Sequence, residues 1–438
     1  MLKKNIIFAL PLITLIVFVA IFSENVPHQD DICNVDMFEK YHENTLTIDR
    51  LFKPHNQHLM PLANLIFLVL GLFSGFNIIW YLYASILIHT IGYVFILLLA
   101  TKSIGYNFFD PPYWMLIIPV LHFNLVQFTI FVFGFNLSYI LPLTCFYGAL
   151  FFADNVNSNR KGSIKSFILS MIFIILGIFS SAMGYLSLLA VFILLIFKKD
   201  AKYYLMSFII FTFFVLLYVI NLVNSDTYLI VLDINKFQKF FFELLGFPVY
   251  NQNIAYFSGI FTFTLIIILI YVTKTMEFIK SNIVFLAIAS YSFFVLLFIA
   301  YGRHNHELSL SINIRYNAYL IPLYISSILI LISIFKQKSK ELFKVIQKVS
   351  VVIAFIVFII SSLVVFYKGG PSWNKIMREY ACILINSDDK NDNELKQVFP
   401  NKEQLLDNIR VMKKYNLSLF SEKYYIERFN CYDRENKK

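Results

Sequence analysis

Hydrophobic residues in this chain gather into long blocks separated by short polar gaps. The blocks run 5–22, 59–75, 78–100, 113–153, 164–181, 183–197, 203–222, 255–273, 281–300, 316–335 and 345–367. Blocks of about 18 or more apolar residues match a hydrocarbon core of about 30 Å. Transmembrane β-strands alternate apolar and polar residues over about ten positions, a pattern absent from these blocks. The reading is an all-α, polytopic integral membrane protein with about 11 transmembrane helices over residues 1–367, followed by a polar region, 368–438.

The gaps orient the chain. Lys3-Lys4, Arg160 to Lys165, Lys198 to Lys202, Lys274 to Lys280 and Lys336 to Lys348 are basic, and the positive-inside rule puts them in the cytoplasm. The N-terminus is then cytoplasmic and the C-terminus external, with outer loops 23–58, 223–254 and 301–315. Counting from the N-terminus, block 113–153 has to cross an odd number of times to bring Arg160 inside. It is long for one crossing. Pro119, His122, Asn124, Gln127 and Asn136 mark part of it as a broken or re-entrant helix, tolerated in a membrane where the backbone is buried or lines a cavity. In the tail, Leu405, Leu406, Ile409, Val411 and Met412 recur at near-helical spacing and predict a small external helical appendage.

Composition agrees: 58% of the 438 residues are hydrophobic and 15% charged, with a mean hydropathy of +0.68. A soluble domain holds about 25% charged residues. The net charge of +10 sits in clusters beside apolar blocks, which excludes nucleic acid as the partner and leaves membrane lipids. Residues 2–22 look like a signal peptide but lack a small-residue cleavage site, so they read as a retained first helix. Of four cysteines, Cys145 lies in an apolar block, and Cys33, Cys382 and Cys431 fall outside, where an oxidising compartment would allow a Cys382–Cys431 disulfide.

Chemistry gathers at the outer loops. The first carries Asp30, Asp31, Asp36, Glu39, Glu43 and Asp49 and ends in Lys53-Pro54-His55-Asn56-Gln57-His58-Leu59-Met60-Pro61. A carboxylate here can act as a general base toward a hydroxyl or hold a divalent cation against a phosphate. His55 and His58 alone do not define a metal site, Pro54 and Pro61 interrupt any helix there, and no metal ligand is assigned. The pair suits hydrogen bonding to a substrate. The last outer loop carries Gly302-Arg303-His304-Asn305-His306-Glu307 and then Arg315-Tyr316; an arginine's rigid fork suits phosphate oxygens. Inside the blocks, His89 reads as an interhelical hydrogen bond, whereas Asn124 and Gln127 are candidates for reaching a site from within the membrane. No phosphate loop, nucleophile elbow or zinc helix is present.

In order, Asp30-Asp31 after the first helix, then His55-Asn56-Gln57-His58-Leu59-Met60-Pro61 in place of an H-P-P form, then Gly75-Phe76-Asn77 resemble the GT-C class of membrane glycosyltransferases. Ser180 to Gly184, Leu245-Gly246-Phe247-Pro248 and Gly302 to Tyr316 resemble positions shared with bacterial membrane proteins of the same layout, and the external tail is similar to that of serotype-converting O-antigen glucosyltransferases. The resemblance implies transfer of a sugar from a polyprenyl-phosphate donor to a glycan acceptor at the outer face of a bacterial cytoplasmic membrane. It implies Asp30 or Asp31 as base or metal partner and Arg303 or Arg315 on the donor phosphate; His55, His58, Tyr316, Asn124 and Gln127 are read from the residues themselves as substrate contacts. Fold analogy does not establish a reaction. A flippase or transporter, or a polymerase of lipid-linked saccharides, is the alternative; transporters usually show paired repeats and midplane charges, neither of which is evident here.

Overall fold

The computed structural model describes residues 2–55, 58–157, 162–198, 201–224, 232–246, 252–272, 276–305, 310–338, 340–421, 429 and 431. Of the positions singled out above, Asn56, Gln57, Arg160, Phe247, Pro248, Lys274, His306 and Glu307 lie outside them. Among the described residues every element is helical, and the one extended pairing is an isolated bridge between His55 and His58.

Seven helical runs are long and apolar enough to cross a membrane: Ile78–Ile104, Tyr113–Phe131, Gly134–Asp154, Gln252–Tyr271, Glu277–Arg303, Arg315–Lys336 and Glu341–Ile385. Five shorter apolar helices join them: Ile6–Phe22, Pro61–Ser74, Ser163–Ile178, Ala182–Phe197 and Lys202–Leu216. Outward faces leave Ile209, Phe213, Phe257, Phe261, Ile356 and Ile360 exposed, as suits a lipid solvent but not water.

Polar contacts sort the helix ends into two sets. At one end Lys4 pairs with Asp110 at 2.5 Å, Lys102 and Lys198 both pair with Asp154, and the Lys336 ammonium donates to the Ile104 carbonyl at 2.7 Å. At the other end the Ile78 N–H donates to Asn25 Oδ1 at 2.8 Å, Leu62 N–H to the Phe179 carbonyl at 2.9 Å, and Ser418 N–H to the Gly75 carbonyl at 2.8 Å.

This sorting corrects the path read from the sequence. Block 59–75 folds as the helix Pro61–Ser74, with proline in its first turn and left-handed Gly75 (φ +64°) at its end. Its 14 residues extend about 21 Å, and both ends lie against the same loop end of the bundle. It does not traverse the bundle. The following helix, Ile78–Ile104, is capped by the Asn77 side chain and runs to the Lys102 end, so 105–112 sits with Lys4. Block 113–153 then runs the length of the bundle twice, as Tyr113–Phe131 and Gly134–Asp154. The odd parity required of it followed from counting 59–75 as a crossing.

The first of those two runs is broken, as its proline and polar residues predict. The helix Ile117–His122 stops, Asn124 Oδ1 accepts from the Val126 N–H at 2.9 Å to start a 3₁₀ turn, and Gln127 Nε2 donates to the His122 carbonyl at 2.5 Å. Beside the break, the His89 and His122 rings stack at 3.8 Å, and each Nε2–H donates to the other's carbonyl, at 2.8 and 3.0 Å. His89 thus makes an interhelical hydrogen bond through Nε2.

The last long helix, Lys340–Val364, continues through a π-turn, Val365–Gly369, into Gly370–Ile385, so the boundary read at 367 falls inside one continuous rod. Gly370 allows close packing: a Cβ there would meet the Phe22 ring at 2.5 Å. Two further helices follow, Asp392–Val398 behind an Asn391–Glu394 capping box and Lys402–Lys414, and Cys382 is bonded to Cys431. Buried Glu24 holds Asn374 at 3.0 Å and Arg378 at 3.4 Å, which ties the tail to the end of the first helix.

Candidate functional site

The segment after the first helix forms a 3₁₀ turn, Gln29–Asn34, in which neighbouring side chains stand about 120° apart. Consecutive aspartates therefore face different surroundings. Asp30 looks into a cavity of about 1250 Å³, with its side chain 29% exposed. Asp31 turns into the protein, 3% exposed, where its Oδ1 accepts from the Phe135 N–H at 2.7 Å and its Oδ2 lies 3.5 Å from His28 Nδ1. Gly134 lets this happen, since a Cβ there would lie 2.9 Å from Asp31 Oδ1.

Asp30 holds a cationic or hydrogen-bonding partner at each oxygen: His55 Nε2 at 3.3 Å from Oδ1 and Arg315 Nη1 at 4.0 Å from Oδ2. Burial alone would raise its pKa, but the hydrogen bond and charge of His55, with Arg315 and His28, outweigh it and hold the carboxyl below its usual range. Burial pushes Asp31 well above that range, against the hydrogen bonds from the His28 and Phe135 backbone. The two carboxyls are thus shifted in opposite directions, Asp30 toward the ionised form in the cavity and Asp31 toward the neutral form in the wall.

His55 and His58 pair backbone to backbone, at 3.0 and 2.9 Å, and this bridge sets the His55 ring against the Phe135 ring at 4.7 Å. His58 lies behind it and does not line the cavity; burial, then the charges of Arg303 and His55, lower its pKa to about 4. Arg303, Arg315 and Tyr316 all line the cavity, from the facing ends of Met276–Arg303 and Leu310–Lys338. Asn124 and Gln127 do not. They are buried in the helix break, where Asn124 Oδ1 and Gln127 Nε2 bond the local backbone and Gln127 Oε1 has no partner among the described residues, so neither side chain reaches the cavity. Polarity within an apolar block marked the broken backbone itself.

The structure adds residues that sequence reasoning passed over. Arg50 grips Asp36 through both Nε, at 2.7 Å, and Nη2, and donates to the Cys33 carbonyl at 3.2 Å, bracing the loop beside Asp30. Cys33 lines the cavity, but burial and then the charges of Asp30, Asp36 and Asp31 push its thiol up to about 12, so it is no nucleophile. The tail forms the opposite wall through Lys396, Gln397, Gln404, Asp407 and Arg410. Its amphipathic period carried the only signal: Leu405, Ile409 and Met412 are buried, which turns Gln404 and Asp407 to the cavity. Among the described residues no group of three or more His, Cys, Asp or Glu is arranged to hold a metal ion.

No family model matches the chain, and no curated protein or solved structure does either. Function is therefore argued from the site's own chemistry.

Proposed function

We propose that this chain is a membrane glycosyltransferase of the GT-C kind, moving a sugar from a polyprenyl-phosphate donor to a glycan acceptor at the outer face of a bacterial cytoplasmic membrane. The observation that carries the reading is Asp30: an ionised carboxylate, 4.0 Å from Arg315, in a cavity of about 1250 Å³ at the loop end of an apolar bundle. In an inverting transfer, Asp30 takes the proton of an acceptor hydroxyl as its oxygen attacks the anomeric carbon. The bond from that carbon to the phosphate oxygen breaks, and the polyprenyl phosphate leaves with the electron pair. Arg315 and Arg303 stand where that charge would be met. A lipid-linked donor needs no nucleotide-binding domain, in keeping with the all-helical chain.

The same reading gives the topology. Eleven crossings are Leu2–Phe22, Ile78–Ile104, Tyr113–Phe131, Leu137–Asp154, Ser163–Ile178, Tyr185–Phe197, Ala201–Asn224, Gln252–Val272, Met276–Arg303, Leu310–Lys338 and Lys340–Val364. This path puts Lys4, Lys102, Lys198 and Lys336 in the cytoplasm and the Asp30 cavity with the tail outside, and it leaves Pro61–Ser74 at the outer interface.

The test is to compare cells complemented with wild type, Asp30→Asn and Arg315→Ala by mass spectrometry of their surface glycans. Loss of one monosaccharide from the glycan in both variants, with normal membrane levels, is expected. Unchanged glycan in Asp30→Asn would defeat the reading. Transfer by the purified protein in detergent, with no membrane to cross, excludes obligatory transport.

A further inference from the structure

Next to the large cavity lies a smaller one of about 210 Å³, and Arg315 lines both. Three elements far apart in sequence build it: His28 and Gln29, the stretch Thr129 to Asn136 where one helical run turns into the next, and the first tail helix with Trp373 and Tyr380. Its walls are of two kinds. Phe133, Trp373 and Tyr380 surround the His28 ring, at 4.4, 5.5 and 6.0 Å between centroids. Between them sit Thr129 and Asn136, 8% and 1% exposed. Asn136 Nδ2 donates to the Thr129 carbonyl at 2.9 Å, while Asn136 Oδ1 and Thr129 Oγ1 have no hydrogen-bond partner within the described protein.

Two such groups in one wall ask for a polar occupant, because each buried and unpaired polar atom costs about 1–3 kcal/mol. The cavity is about a sixth of its neighbour's volume, a scale that suits one sugar unit beside a larger glycan. A pyranose also has the matching chemistry, with a C–H face for aromatic rings and hydroxyls for an amide oxygen and a threonine. Arg315 at the shared boundary suits a phosphate attached to that ring.

We propose that the smaller cavity seats the donor's sugar as a single monosaccharide, its phosphate at Arg315, leaving the larger cavity to the acceptor. This rests on the glycosyl-transfer reading above. It narrows that reading to a donor carrying one sugar and so separates the chain from an oligosaccharide polymerase.

The chain has three tryptophans, Trp80, Trp114 and Trp373, so Trp373 can report directly. The protein is purified as Asp30→Asn with Trp80→Phe and Trp114→Phe, which blocks turnover and leaves one emitter. Short-chain prenyl phosphates, bare or carrying glucose, galactose, mannose, N-acetylglucosamine or a disaccharide, are then titrated in detergent. One monosaccharide lipid is expected to shift Trp373 emission and bind at least tenfold tighter than bare prenyl phosphate, and the disaccharide lipid to bind no better than bare. Thr129→Val, nearly isosteric, and Asn136→Ala are each expected to shrink that gap several-fold without changing affinity for the bare lipid. If bare lipid binds but no sugar improves binding or moves Trp373, the sugar seat is wrong while the transferase reading stands. If no lipid binds to the folded protein, both fall.

Discussion

At the scale of single residues, Asp30 and Asp31 are chemically identical and adjacent, yet their environments assign them opposite states. Burial pushes the Asp31 carboxyl well above its usual range, toward the protonated form, and an asparagine has the shape of a protonated carboxyl and keeps an acceptor for the Phe135 N–H. Asp31→Asn should therefore melt within about 1 kcal/mol of wild type, and Asp31→Ala, which orphans that N–H, should lose about 1–3 kcal/mol. Asp30→Asn gives up the charge interactions with His55 and Arg315, so it should melt somewhat below wild type, and it should cut transfer at least about 100-fold, as expected for a lost general base. Thermal melting and turnover of the three purified variants check this; equal loss of activity in Asp30→Asn and Asp31→Asn would overturn the division of roles. The sequence placed chemistry at this dipeptide but left the choice open, because it depends on the phase of a six-residue 3₁₀ turn and on Phe135, 104 residues away.

The histidines extend the argument to pH. Burial holds His28 and His58 near a pKa of about 4 against a free value of 6.5. Between these values the unfolded chain binds the more protons, so stability is full above about pH 6.5 and is lost as pH falls toward 4. At pH 5 each group should cost about 2 kcal/mol. Asp31, whose carboxyl is raised, gains stability over the same window and offsets part of this loss, so the test is a difference between proteins: the change in stability in detergent between pH 7 and 5 should be about 2 kcal/mol less unfavourable in His58→Asn than in wild type. An equal change in the two proteins would show that His58 is not held neutral.

Among the elements, hydrophobic length gave the helices but not their paths. Block 59–75 looks like a crossing on composition, and what makes it a surface helix is the pair of bonds that fix both its ends to one end of the bundle, Leu62 to Phe179 and Gly75 to Ser418. Block 113–153 looks like one over-long crossing, and what divides it is the chain reversal around Phe133 against Asp31, a tertiary contact with no local signature. The two departures cancel, so a count near eleven arises from two different routes. They place the segment 105–112 on opposite sides. In a Cys33→Ser background, a cysteine at exposed Phe109 should react with a membrane-impermeant thiol reagent only after permeabilisation, whereas one at exposed Thr45 should react in intact cells. Labelling of position 109 in intact cells would restore the path in which 59–75 crosses.

For the whole molecule, the site belongs to no single segment. Its floor comes from the first outer loop and two helix ends, and its opposite wall from the tail, held in place by Glu24 on Arg378, Asn25 on Ser418 and the Cys382–Cys431 bond. Composition marked the tail as external and its apolar period as helical, but the partner of its polar face was invisible, because exposed Lys396 and Gln404 look like any solvated surface until the loop opposite is in place. On the glycosyl-transfer reading, that placement gives the tail to the acceptor. The donor's lipid must enter from the bilayer, whereas a hydrophilic glycan must approach from the aqueous side, past the tail's polar wall. Replacing Lys396 and Gln404 together with alanine removes two polar groups from surface positions, where truncation should change stability by no more than about 0.5 kcal/mol. The expected outcome is an acceptor KM raised about tenfold with kcat and donor affinity unchanged, since an interaction made equally with bound substrate and transition state contributes to KM alone. Steady-state transfer kinetics with each substrate varied in turn measure this. An effect confined to donor affinity would put the acceptor elsewhere and leave the tail as a cover over the donor.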